Sequence, residues 1–210
     1  MKIVSLLPSS TEIVCKLGFR ENLVGVSHEC DYPLSVKDLP ILTKPRFSPI
    51  ESSQKIDNSV QDLLKKGLSV YEVNTDLLKK LAPDLIITQA QCEACAVSLN
   101  DVKEAVSDWI GNKPDIVSLE PNYLDEVWSD FERVGEKLNS SNSYLKFKTE
   151  IEQRLEKLKQ KSQQLIKRPS VVCVEWIDPL MIAANWVPEL VDIAGGINLL
   201  SKPGSHSHIF

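Results

Sequence analysis

The chain of 210 residues carries 24 basic and 29 acidic side chains, a formal net charge of -5, and 42% hydrophobic residues. At this length about 70% of the unfolded surface can be buried, enough for one large domain or two small lobes, which excludes an intrinsically disordered chain. The basic residues are scattered and form no stripe, which argues against a nucleic-acid partner, and no stretch approaches the roughly 20 apolar residues of a membrane span.

In chain order, the first β-branched run predicts a strand over 2–7. Its single Lys2 and the few apolar residues before Pro8 are too little for an export signal, so the chain as written is expected in the cytoplasm, or in the periplasm if the true start lies upstream. A helix is expected over 11–17, with Ser9 or Ser10 as N-cap, Glu12 in its first turn and Gly18 at its end. Further strands are predicted over 22–27, 84–88, 115–119 and 170–175, and a short helix over 75–81 is stopped by Pro83. Strands alternating with helix-length segments imply an α/β fold with parallel strands.

The stretch 122–167 has a different period. Leu124, Val127, Trp128, Phe131, Val134 and Leu138 recur at helical spacing, the polar NSSNS break follows, and Leu145, Ile151, Leu155, Leu158 and Leu165 mark a long charged helix. Twenty or more helical residues make a rod of about 30 Å, long enough to join two lobes. Pro169 closes it. The expected organisation is therefore an N-terminal α/β lobe over 1–121, a helical segment over 122–168 that includes the interlobe helix, and a partial C-terminal α/β lobe over 169–210.

Parallel α/β sheets bind ligands beyond the carboxyl ends of their strands. Each unusual motif falls at such an end: PSSTE after the first strand, HECDYP after the second, QAQCEAC after 84–88, EPN after 115–119 and EWIDP after 170–175. The five cysteines, Cys15, Cys30, Cys92, Cys95 and Cys173, are odd in number and irregular in spacing, unlike a secreted disulfide framework.

These segments, LLPSSTEIVCKLG, GVSHECDYP, LAPDLIITQ, VSLEP and EWIDPLMIAANWVPELVDIAGG, resemble the periplasmic-binding family that captures cobalamin and ferric chelates for ABC importers, most closely its cobalamin-binding branch. The resemblance implies two Rossmann-like lobes with parallel sheets, one long connecting helix and one ligand in the cleft. Relatives continue past the GSHSH segment, so the second lobe is expected to be truncated and loose, because a lone strand and helix bury little surface.

A corrinoid is broad, flat and apolar with amide arms, so Trp176, Trp186 and Tyr32 are candidate walls, and Gln89, Gln91, Ser9 and Ser10 candidate partners for the amides. His28 is a candidate axial ligand to cobalt or iron, the other reading being ordinary loop hydrogen bonds. Glu29, where the best-known cobalamin binders carry an aromatic, belongs to the same loop, with Cys30. By the family's pattern His206 faces the cleft from the second lobe, and Asp76 sits where the first lobe presents an acid to the ABC permease. Asp76 also suits the dipole of its own helix.

Cys92 and Cys95 form a C-x-x-C pair with three readings: pocket-lining thiols, inert packing, or a zinc or redox site. Zinc would take Cys92, Cys95, Cys30 and His28 if the two loops meet. There is no phosphate loop, G-x-S-x-G or HExxH, so the chain is expected to be no enzyme and to require no cofactor. Dithiol exchange is the one chemistry its residues suggest.

Overall fold

The computed structural model describes residues 1–91, 96–109 and 113–209. The chain divides into two compact units, the first made of Met1–Glu51 with Asn58–Glu120, the second of Ser52–Asp57 with Pro121–Phe210.

The first unit runs β1 (Ile3–Ser5), α1 (Pro8–Lys16), β2 (Leu23–Val26), β3 (Thr43–Pro45), α2 (Ser53–Lys65, of which residues 58–65 belong here), β4 (Tyr71–Val73), α3 (Thr75–Leu81), β5 (Leu85–Gln89), α4 (Leu99–Ala105) and β6 (Asp115–Leu119). Four strands make one parallel sheet in the order β2-β1-β5-β6, with Ile3 opposite both Leu23 and Leu85 and Ile86 opposite Ile116. All five residues of β5 are buried, the apolar Leu85–Ile87 and the polar Thr88 and Gln89 alike, as in a strand covered on both faces. Val4, Leu6, Leu42, Val70, Leu78, Ile86, Val97 and Val102 form the core of this unit, with Val60 and Leu64 of α2 packed against it. The four predicted strands are all present.

The start of α1 differs from the expectation. Pro8 occupies the first turn, where its preset φ suits a helix and its missing N–H is no loss, so Leu7 in extended conformation (φ -151°) becomes the N-cap. Ser9 and Ser10 therefore lie inside the helix and neither caps it, and Glu12 falls beyond the first turn. α3 spans 75–81 as predicted. Asn74 caps it by accepting a hydrogen bond from Leu77 N (3.0 Å), and Ala82 ends it in the left-handed region (φ 46°), held out of helical conformation by Pro83.

The second unit contains α5 (Leu124–Lys137), α6 (Ser141–Ser162), β7 (Ser170–Val171), β8 (Val174–Trp176), β9 (Met181–Ile182), α7 (Val187–Ile193), β10 (Ile197–Asn198) and β11 (His208–Ile209). The two predicted helices are both there. They close on each other through Phe131 and Phe147, whose rings stack 4.9 Å apart, and through Gly135, where a Cβ would stand 3.2 Å from Tyr144 Cβ. α6 has 22 residues, the predicted rod. The strand predicted over 170–175 is in fact two. β7 pairs in parallel with β10, whereas β8 joins the antiparallel set β11-β9-β8, because 176–181 turns back and offers β9 as a partner.

These contacts set the stability expected at two positions of the first unit. Ile86→Ala, which empties the centre of β5, is expected to cost about 2–5 kcal/mol, and Asn74→Ala, which removes one cap, about 1 kcal/mol. Urea unfolding of the two variants checks the ranking.

Candidate functional site

Because β2, β1, β5 and β6 are parallel, their carboxyl ends lie along one edge of the sheet. The segments beginning at Pro8, Ser27, Gln89 and Glu120 leave the first unit's sheet at that edge. The fifth motif, EWIDP, belongs to the second unit, in β8 and the turn after it.

The edge is lined from below by buried hydroxyls. Ser5, Ser10 and Thr11 are fully buried and joined: Ser10 Oγ donates to Leu7 O (3.0 Å), Ser5 Oγ and Ser10 Oγ lie 2.5 Å apart, and Thr11 Oγ1 reaches Ser5 Oγ at 2.7 Å and Cys30 Sγ at 3.1 Å. Buried polar groups are costly unless paired, and these three pair with one another instead of facing solvent. Burial pushes the Cys30 thiol above the ordinary cysteine value, outweighing the hydrogen bonds from Thr11 and Ser27 that favour its thiolate.

A second set fixes the imidazole of His28. Thr43 Oγ1 donates its one proton to Ser27 Oγ (3.0 Å), so it can only accept from His28, whose backbone N lies at 3.1 Å and whose Nδ1 lies at 2.7 Å. Nδ1 therefore carries the proton. In the neutral ring Nε2 is then left with its lone pair, and it makes no hydrogen bond. Nε2 is buried, and Glu29 Oε1 lies 3.1 Å from it, an ion pair only when the ring is protonated. Behind the imidazole lie Tyr71, with ring centroids 5.5 Å away, and then Phe47, 6.4 Å from Tyr71. Burial and the charge of Glu29 push the Tyr71 phenol upward, which keeps it neutral at physiological pH.

The other candidates are placed as follows. Ser9 is exposed on α1, Glu29 and Tyr32 are exposed in the loop after β2, and Gln89 is buried at the end of β5, where it pairs with Leu119 of β6. Gln91 is half-buried. Cys92 and Cys95 lie outside the described residues, so the C-x-x-C readings and the zinc set rest on positions without a description here. Of that set's other members, Cys30 faces Thr11 and His28 faces Thr43, and among the described residues no group of three or more His, Cys, Asp or Glu side chains can hold a metal ion. Trp176 is half-buried and donates through Nε1 to Asp178 O (3.0 Å); Trp186 is half-buried ahead of α7; His206 is exposed. Asp76 is exposed in the first turn of α3. Sequence reasoning missed Thr43, Phe47 and Tyr71. The run SVYEV around Tyr71 reads as a strand, but nothing local to Thr43 signals that it meets His28.

Residues 3–209 match the periplasmic binding protein family, and the chain belongs to it. No curated protein matches the sequence. Solved structures share the fold. The periplasmic vitamin B12 binding protein BtuF of Vibrio cholerae is 20% identical with a TM-score of 0.67, over 100% of this chain and 69% of its own. IsdE of S. aureus, solved in complex with heme, is 16% identical with a TM-score of 0.66, over 98% of this chain and 67% of its own. An ABC transporter substrate-binding protein of Listeria monocytogenes is 17% identical with a TM-score of 0.66, over 100% of this chain and 68% of its own. The chain thus spans about two thirds of the length of these relatives. Among the described residues no helix is long and apolar enough to cross a membrane.

The raised Cys30 pKa has a direct consequence. At pH 8 its thiolate fraction is below that of a free cysteine, and its reactivity climbs only as pH passes the raised value. Iodoacetamide at pH 8 is expected to leave Cys30 unmodified in the native protein and to alkylate it after denaturation, as read by peptide mass spectrometry.

Proposed function

We propose that this chain is a substrate-binding protein of the ABC-importer type that captures a metal-centred tetrapyrrole, a corrinoid first among them, at the carboxyl edge of its parallel sheet. The observation that carries this reading is His28, whose Nδ1–H is held by Thr43 while Nε2, buried beside Glu29, has no hydrogen-bond partner and would have to be uncovered by a small shift of the Glu29 side chain to reach a metal. A hydrogen bond on the far nitrogen fixes the tautomer and raises the basicity of the ligating one, the usual support for a metal-binding imidazole. Tyr71 and Phe47 add an aromatic wall behind it.

The kinship with a vitamin B12 binding protein and with a protein solved in complex with heme supports the same ligand class. Glu29 beside Nε2 favours haem or a ferric chelate as the second reading, since a carboxylate is a hard oxygen donor that suits iron. In this proposal Gln89, Gln91, Ser9, Tyr32, Cys92 and Trp176 line the ligand's path, His206 is a further ligand contact, and Asp76 meets a permease, whereas Cys30 is buried beneath α1 and stays out of the path. The protein binds and releases its cargo without chemistry, in the periplasm, the compartment that gives its family its name. A zinc or dithiol role for Cys92 and Cys95, with Cys30, is the competing reading.

Visible-absorption titrations of the reduced, metal-free full chain with hydroxocobalamin and with hemin test it. A saturable shift with one of them is expected, and His28→Ala should weaken it about tenfold or more, the equivalent of roughly 1.4 kcal/mol. No saturable shift with either ligand would sink the proposal. A Cys92→Ser/Cys95→Ser variant that binds as tightly as the parent would remove the thiols from the pocket, and stoichiometric zinc in anaerobically purified protein would favour the competing reading.

A further inference from the structure

His28 and Glu29 are the two central residues of a turn closed by Cys30 N donating to Ser27 O (3.1 Å), so their side chains leave adjacent positions of one loop. The turn is tied down on both sides. Glu29 N donates to Ser27 Oγ (3.3 Å), and His28 N donates to Thr43 Oγ1 (3.1 Å). Thr43 also holds the Nδ1 proton, so Nε2 of the neutral ring is an acceptor, and it stands 3.1 Å from Glu29 Oε1, which is an acceptor too. Two acceptors this close repel each other unless a proton or a metal ion joins them.

The spacing fits a metal ion. Zinc binds imidazole nitrogen and carboxylate oxygen at about 2.0–2.2 Å, so two such ligands at right angles on one ion lie roughly 3.0 Å apart. The His28–Glu29 separation is that of a cis pair. Imidazole suits zinc, copper, iron and nickel, and the carboxylate adds a hard oxygen. Calcium and magnesium are poorly served, because they take oxygen ligands almost alone. The His28 side chain is 19% exposed and backed by Tyr71, whereas the Glu29 side chain is 56% exposed and open to solvent. One ligand is thus held rigidly, and the other is able to adjust.

We infer that His28 Nε2 and Glu29 Oε1 together form a site for a divalent first-row transition-metal ion, which they hold through two cis positions. Water, or a chelator that leaves two neighbouring positions open, fills the rest of the coordination sphere. This goes beyond the tetrapyrrole reading. A tetrapyrrole occupies the equatorial positions of its metal and leaves only axial ones, on opposite faces, so it meets one of the two side chains and Glu29 must swing aside. A cis-open ion takes both, with only a small shift of the exposed carboxylate.

Zinc chloride added to the full chain tests the site, in a Cys92→Ser/Cys95→Ser background so that thiolates do not compete. The histidines are isotope-labelled, and two-bond proton–nitrogen correlation spectra report Nδ1 and Nε2 of each ring separately. His206→Ala and His208→Ala identify two of the three histidines, so His28 is assigned without altering it. Zinc is expected to move His28 Nε2 saturably while Nδ1 stays protonated. Glu29→Gln, a change of the same shape at an exposed position, is expected to weaken zinc binding about tenfold or more, at least the loss usual for a residue that supports a metal site.

His28 resonances that ignore millimolar zinc, or zinc confined to His206 and His208, overturn the site. Equal affinity in Glu29→Gln overturns the pair and leaves a lone imidazole. The hemin and hydroxocobalamin titrations decide the tetrapyrrole reading separately. Zinc binding at His28 without any tetrapyrrole shift sinks that reading and supports this one, and a tetrapyrrole shift in a protein whose His28 ignores zinc does the reverse.

Discussion

The parallel pairing of β5 between β1 and β6 is the constraint on which the first unit depends. Its five residues are buried on both faces, so the strand must be covered by helices above and below, and the chain must return to the same end of the sheet after each strand. That return places the turns after β1, β2, β5 and β6 at one edge. The edge is polar because the backbone leaves the sheet there and its groups need partners. The side chains that supply them, Ser5, Ser10, Thr11, Ser27 and Thr43, are buried with it.

Within that edge a chain of donors decides the state of one ring. Ser27 accepts a hydrogen bond from Thr43, Thr43 accepts one from Nδ1 of His28, and Nε2 is left buried without a hydrogen-bond partner. Thr43 reaches this position through the β3–β4 pairing, opposite Val73, while Tyr71 of β4 stands against the ring. An antiparallel strand pair outside the HEC motif thus sets both the tautomer and the orientation of its histidine. Cys30, two residues on, is turned the other way, into the hydroxyl cluster beneath α1, where burial keeps it a thiol.

The second unit solves a different problem with shorter elements. α5 and α6 stack through aromatic rings, and the remaining strands are only two or three residues long. Strands this short gain little from their ladders, so turns and side-chain bonds carry the order. Tyr123, Asn185 and Gly204 are the clearest example. None of them stands out in the sequence, because each is ordinary in its own neighbourhood and their contacts join residues 19 to 81 positions apart.

Periodicity and turn chemistry alone determined the parallel strands of the first unit, the α3 segment 75–81 and the helix pair over 122–167, because each depends on residues close together in the chain, while the family came from the resemblance of its motifs. The same local reasoning misjudged the start of α1, where Pro8 competes with Ser9 and Ser10 for the first turn, and merged β7 with β8, since a continuous apolar run does not record which partner each half will find. Only the tertiary structure decided that His28 has its Nδ1 committed and its Nε2 without a hydrogen-bond partner, that Ser10 and Cys30 are buried, and that the His206 loop is fastened to the start of α5. A sequence can show that an imidazole is present at a strand end. Which of its nitrogens carries the proton is set by a hydroxyl fifteen residues away, and that choice exists only once β3 has paired with β4.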